Sequence, residues 1–189
     1  YCNYEYLFAP FDPATGWTLD KVRKAQHAHG ISVLHIRRNS TGKWDVVLDS
    51  YYNRRITGRS PMEMTGPAAG HTLLKTSADA SGTRALGTLN NCGSGRTPWG
   101  TYLACEENWA GYFRRVKATD DAKRSAKELA SFSRYGVAGT GRELWATVTP
   151  DTADNQYGRW NAEVQGANAA ADYRNAANPY GWVVEIDPF

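Results

Sequence analysis

At 189 residues, 41% of them hydrophobic, the chain is long enough to bury a core of its own. Lys and Arg number 22 against 19 Asp and Glu, and the resulting +3 is scattered, with only the pairs Arg54-Arg55 and Arg114-Arg115, which argues against a nucleic-acid footprint. No apolar run approaches the roughly 18 residues of a membrane-crossing helix, so no membrane span is expected.

The chain begins Tyr1-Cys2-Asn3 without an initiator Met and ends on a strand-like run into Pro188-Phe189, so both ends are expected to be cut from a longer protein. The lack of a signal peptide therefore carries no information on export. Cys2, Cys92 and Cys105 fit neither a disulfide framework nor a zinc spacing; one pair with one thiol left over, or three free thiols, both remain open. Seven Trp and eleven Tyr with abundant Gly favour strands and turns over helical packing.

In chain order, residues 4–8 read as extended, with Glu5 between two tyrosines. A helix follows, capped by Thr18, with Asp20 in its first turn, Leu19, Val22 and Ala25 as its apolar stripe, and Gly30 as its stop. His27 and His29 are not a metal pair, because helix positions two apart point in different directions. Residues 31–38 and 43–50 read as a hairpin around Asn39-Ser40-Thr41-Gly42. A Gly- and Pro-punctuated passage then leads to a second hairpin, residues 71–76 against 84–89. Beyond the strand carrying Cys105, a helix is expected over residues 120–132, capped by Thr119 and ended by Gly136. Residues 143–149 read as a strand, residues 150–178 are polar and unassigned, and 183–186 form a closing strand. Short strands in hairpins with inserted helices fit an all-β architecture better than a parallel βαβ sheet.

The chemistry concentrates in Asn90-Asn91-Cys92-Gly93-Ser94-Gly95-Arg96-Thr97-Pro98-Trp99-Gly100-Thr101, read as a glycine-rich loop leading into a strand that ends in Glu106-Glu107-Asn108. Gly93, Gly95 and Gly100 allow close approach to the Cys92 thiol. That thiol reads as a packed side chain, a metal ligand or a nucleophile, and the latter two roles require the thiolate. Strand alternation puts Glu107 on the face of Cys105 and Leu103, so only one of the two glutamates points at any single site. A thiolate beside carboxylates is neither a structural zinc set nor a calcium cage, and a mixed cluster would want both ligand types.

The Asn90-Asn91-Cys92, Thr97-Pro98-Trp99-Gly100-Thr101 and Cys105-Glu106-Glu107-Asn108 blocks resemble the signature of the PhoX family of secreted bacterial alkaline phosphatases. Asn3-Tyr4-Glu5-Tyr6, Val22-Arg23-Lys24-Ala25-Gln26, Tyr52-Asn53-Arg54-Arg55-Ile56-Thr57, Gly66-Pro67-Ala68-Ala69-Gly70-His71 and Gly181-Trp182-Val183-Val184-Glu185-Ile186-Asp187-Pro188 are similar to further segments of that family in the same order. Gly93-Ser94-Gly95 departs from its usual Ala-Gly-Gly, and Tyr4 stands where His is common.

The resemblance implies a mainly β fold, residues 1–189 being part of a six-bladed β-propeller with inserted helices, incomplete in this chain. It implies hydrolysis of small-molecule phosphate monoesters at a cluster of Fe(3+) and Ca(2+), completed by the remainder of the same polypeptide. By motif, Cys92 would bridge the irons, Glu107 and Glu185 would be carboxylate ligands, Glu106 and Glu5 weaker candidates, and Asn91 a contact to metal or phosphate. Arg54 and Arg55 are weak candidates for the substrate phosphate. Periplasmic or secreted localisation, through twin-arginine export, is implied in the same way. The alternative is a non-catalytic propeller serving as an interaction module with structural calcium only.

Overall fold

The computed structural model describes residues 16–148 and 155–189. The expected strand at residues 4–8, with Glu5, lies outside them.

Helix α1, Leu19–Ala28, starts where the sequence places it: the Thr18 hydroxyl accepts the Lys21 amide at 3.3 Å, and Val22 and Ala25 are buried. His29 caps its end and Gly30 turns the chain at φ 102°, pressed so closely on the next layer that a Cβ there would lie 1.9 Å from the Ile56 carbonyl oxygen. His29 is buried and His27 is exposed, so the two histidines do point apart.

The expected hairpin of residues 31–38 and 43–50 forms in its inner part, around residues 39–42, while residues 31–33 pair elsewhere. β1, Ile31–Val33, pairs with β4, Arg54–Ile56, while β2, Ile36–Arg38, pairs with β3, Trp44–Val46. The break falls at His35, whose amide is taken by the Asn53 side-chain oxygen at 2.7 Å while the Asn53 side-chain nitrogen donates to the Val47 carbonyl at 2.7 Å. A side chain thus satisfies the backbone groups that a continuous ladder would have used.

The second expected hairpin is also different. Residues 72–74 form a short 3₁₀ turn, and β6, Arg84–Leu86, pairs with β5, Pro61–Glu63, inside the passage read as loop. Proline is compatible with β5 because it occupies the first residue of a strand paired on one side only. The turn before β6 is built on Asp79, whose carboxylate accepts the amides of Ser81, Thr83 and Arg84 at 2.8–3.0 Å.

The glycine-rich stretch is strand rather than loop. β7, Asn91–Arg96, pairs with β8, Tyr102–Glu106, and β8 with β9, Val183–Ile186, in a three-stranded antiparallel sheet of order β7-β8-β9. Ala104 and Ile186 face the interior, whereas Cys105, Val183 and Glu185 face outward. The described sheets are therefore small, antiparallel and open, with two or three strands each, and helices are few: the fold is mainly β.

The expected helix over 120–132 is split into α2, Lys117–Asp120, a 3₁₀ turn, and α3, Ala126–Tyr135. α3 is capped by Ser125 rather than Thr119, in a reciprocal box with Glu128, and ends at Gly136 in the left-handed region as expected. The split lets buried Asp120 accept Arg115 Nε at 2.6 Å and Arg124 Nε at 2.8 Å, while both guanidinium groups sit about 5 Å from the Phe132 ring.

Residues 143–149 give no strand among those described; Trp145–Thr147 is a 3₁₀ turn. The stretch left unassigned by sequence supplies much of the core: Trp160, Ala162, Tyr173, Ala176 and Ala177 pack with Tyr112, Phe113 and Trp145. Ring centroids of Tyr112 and Trp145 are 4.3 Å apart, those of Trp145 and Trp160 4.8 Å.

Candidate functional site

The β7–β8 hairpin is closed at Thr97-Pro98-Trp99-Gly100, where the Thr97 amide donates to the Thr101 carbonyl at 3.0 Å and Gly100 takes φ 98°. Toward the other end the register slips. Asn91 pairs with Glu106, and the next pair is Ser94 with Ala104, so Cys92 and Gly93 together oppose Cys105. Cys92 sits on a β-bulge, a device that re-aims a side chain out of the regular pleat. Gly93 packs against Cys105, since an added Cβ would stand 3.8 Å from its sulfur. Cys92 and Cys105 are free thiols, both exposed.

The adjacent glutamates have different surroundings. Glu106 shares the inward face with Ala104, and its carboxylate receives the Thr88 hydroxyl at 2.7 Å, the Leu89 amide at 3.0 Å, the Gly181 amide at 2.8 Å and the Trp182 amide at 3.4 Å. Burial pushes this carboxyl above its ordinary range, against the opposing pull of those donors. Glu106 thereby fastens the segment before β7 to the segment before β9. Glu107, just past β8, donates its amide to the Asn90 carbonyl at 3.1 Å, and its carboxylate accepts the Asn108 side-chain amide at 3.2 Å.

Thr88 decides how Asn91 points. Its hydroxyl proton goes to Glu106, so its oxygen needs a donor, which is Asn91 Nδ2 at 2.8 Å. The Asn91 Oδ1 is then left buried with no hydrogen-bond partner. A buried acceptor without a donor is costly unless a cation or an added donor meets it.

Glu185 pairs across the sheet with Leu103, and its Oε1 accepts Trp99 Nε1 at 2.7 Å and the Thr101 hydroxyl at 2.5 Å. These two hydrogen bonds hold its carboxyl below the ordinary range, the Thr101 bond most strongly. Glu185 and Glu106 line a groove of about 770 Å³ with Arg54 and Asp187, and neither Cys92 nor Glu107 borders that groove. The sequence-derived residues are thus divided between the groove and the bulge.

The arginines have structural partners. Arg55 Nη2 lies 3.2–3.4 Å from the carbonyl oxygens of His27, Ala28 and His29, closing the C-terminus of α1. Arg54 donates to the carbonyls of Tyr52 at 3.0 Å, Pro188 at 3.3 Å, and Asp187.

Three residues without a role in the sequence-based site shape the bulge. Asn90 stands in the left-handed region at φ 46°; its amide donates to His29 Nδ1 at 3.2 Å, and its Oδ1 accepts the Tyr112 hydroxyl at 3.2 Å. The Asn90-Asn91 doublet hinted at such a conformation, because asparagine tolerates it better than most residues. His29 and Tyr112, 61 and 22 residues away from Asn90, carried no local signal.

Among the described residues, no three His, Cys, Asp or Glu side chains come together in a group able to hold a metal ion. Thiolate, amide oxygen and carboxylate are ligand types suited to a mixed cluster, but the described residues do not by themselves fit a complete one.

The chain matches the model of the alkaline phosphatase PhoX family over residues 1–189, and it belongs to that family. In three dimensions it is similar to Pseudomonas fluorescens PhoX in complex with vanadate, a transition state analogue, with 42% sequence identity and a TM-score of 0.74. The match covers 100% of this chain and 28% of that one. No curated protein sequence matches the chain. Among the described residues, no helix is long and apolar enough to cross a membrane.

Proposed function

We propose that this chain forms part of an alkaline phosphatase of the PhoX kind, hydrolysing small-molecule phosphate monoesters. The observation that carries the reading is the alignment of the whole chain, at 42% identity, with a PhoX structure holding a transition state analogue.

On this reading the small antiparallel sheets are portions of a six-bladed propeller, the remainder of the polypeptide supplies the other blades, and the protein is exported to the periplasm or beyond. Cys92 and Glu107 would hold the iron and calcium ions, with Glu185 and Glu5 as further carboxylates and other donors from beyond the described residues. The unpartnered Asn91 Oδ1 beside Cys92 supports a role for Asn91 toward cation or phosphate. Glu106, held by four protein donors, fits a supporting role better than a ligand's. Arg54 and Arg55, committed to backbone carbonyls, fit holding the fold better than holding phosphate.

The test is made on the longest protein that carries this chain. Elemental analysis and p-nitrophenyl phosphate hydrolysis are compared for the parent and Cys92→Ala. Iron and hydrolysis disappearing together supports the phosphatase; calcium alone with no hydrolysis in the parent supports the interaction module instead.

A further inference from the structure

Asn90 connects the two halves of the bulge. Its successor opens β7, which carries Cys92 one residue later, and its own carbonyl accepts the Glu107 amide at 3.1 Å. Where Asn90 sits therefore sets where both Cys92 and Glu107 begin.

Asn90 is held from inside the protein by a closed set of hydrogen bonds. His29 Nδ1 accepts the Asn90 backbone amide, so the neutral ring carries its proton on Nε2. That proton is donated to the Tyr112 oxygen, 3.0 Å away, and the Tyr112 proton goes to Asn90 Oδ1 at 3.2 Å. One proton arrangement satisfies these three contacts. The rings have almost no exposure, 0% for His29 and 1% for Tyr112, and His29 meets Trp145 edge to face at 5.7 Å. On its other side His29 is fixed by the end of α1, which Arg55 closes. The line runs from the α1 terminus through His29 to Asn90, and from Asn90 to both Cys92 and Glu107.

We infer that His29 and Tyr112 are positioning residues for Cys92 and Glu107, acting through the backbone and side chain of Asn90. A left-handed conformation is disfavoured for residues other than glycine, less so for asparagine, and the clamp holds Asn90 there against relaxation. The consequence for catalysis rests on the phosphatase reading; the positioning itself does not.

The test uses Tyr112→Phe, which deletes one oxygen and keeps the ring. In the 189-residue chain, hydrogen exchange followed by NMR should show the Asn90 and Glu107 amides losing protection about tenfold, while the amides that join β8 to β9 keep theirs. Unchanged protection at Asn90 and Glu107, or an equal loss across the sheet, overturns the inference. Should Tyr112→Phe fail to fold, His29→Gln carries the same comparison: its side-chain amide reaches the Nε2 position and leaves the Asn90 amide without its acceptor, so the Asn90 and Glu107 amides should again lose protection while those joining β8 to β9 keep theirs. In the longest protein, Tyr112→Phe should lower kcat for p-nitrophenyl phosphate about tenfold with KM within about twofold. If the parent hydrolyses nothing while the exchange pattern appears, the phosphatase reading fails and the positioning role stands.

Discussion

Replacing Glu106 by glutamine removes a charge without changing shape, and its cost is set by the four groups that surround the carboxylate. All four are donors: Thr88 and Leu89 on one carboxylate oxygen, Gly181 and Trp182 on the other. An amide offers only one oxygen, so one of these pairs must face an NH₂ group. If the amide turns its nitrogen to Gly181 and Trp182, two backbone N–H groups lose their acceptor at exposed residues where water replaces part of it, so the cost lies near the lower end of the roughly 1–3 kcal/mol of a buried unsatisfied donor. If it turns the other way, the Leu89 amide is orphaned and Thr88 must reverse its hydroxyl. Either choice gives about 1–3 kcal/mol, a drop in Tm of roughly 2–12 °C for a domain of this size. Denaturant unfolding monitored by tryptophan fluorescence measures it, with Glu107→Gln as the reference, expected within about 0.5 kcal/mol of the parent because Glu107 holds a single partly exposed side-chain contact. Glu106→Gln within about 0.5 kcal/mol of the parent would refute the assignment of Glu106 as a fastening residue.

Other expectations rest on equally specific contacts. Burial raises the Asp172 carboxyl, but Arg174 and the amides of Gly166, Arg174 and Gln165 outweigh it and hold it at about 2, against 3.8. A depressed carboxylate stabilises the fold above its unfolded value, so about 2 kcal/mol is fully present above about pH 4 and lost as pH falls toward 2. Asp172→Asn should cost that much at pH 7, with the gap to the parent closing in acid titrations of stability; a gap constant with pH would sink the assignment. Gly30→Ala should abolish folding, or cost more than about 3 kcal/mol, because its Cβ would meet the Ile56 oxygen at 1.9 Å with φ at 102°. Gly95→Ala, with nothing within 4 Å, should fold normally, and similar thermal melts for the two variants would contradict the packing. Arg55→Met should lower stability by about 1 kcal/mol through the open end of α1 while leaving KM for p-nitrophenyl phosphate unchanged in the longest protein; a KM raised severalfold would return Arg55 to the substrate.

What the sequence made legible is what local chemistry decides. Thr18 and Gly30 bracket α1, Gly136 ends α3, and the alternating runs at residues 102–106 and 183–186 are strands. What stayed hidden has long-range causes. β5 reads as loop because Pro61 and its polar neighbours have no apolar period, and only pairing with β6 makes it a strand. β7 reads as loop because Gly93 and Gly95 suit a turn, whereas here they line an exposed, bulged strand paired along β8. Residues 158–178 look too polar for a core, yet Arg174 and backbone amides satisfy buried Asp172 and allow Trp160, Tyr173 and Ala177 inside.

The same distinction holds within the site. Alternation along β8 separates Glu106 from Glu107, and the structure places Glu106 with Ala104 on the inward face. Sequence could not show that the inward carboxylate orients Asn91 through Thr88, because that relay depends on which atom carries each proton. With the hydroxyl proton committed to Glu106, Asn91 must offer its nitrogen to Thr88 and leave its oxygen free of protein donors. The orphaned acceptor next to Cys92 is therefore imposed by Glu106. A carboxylate held by four protein donors thus determines which atom of its neighbour is left without one.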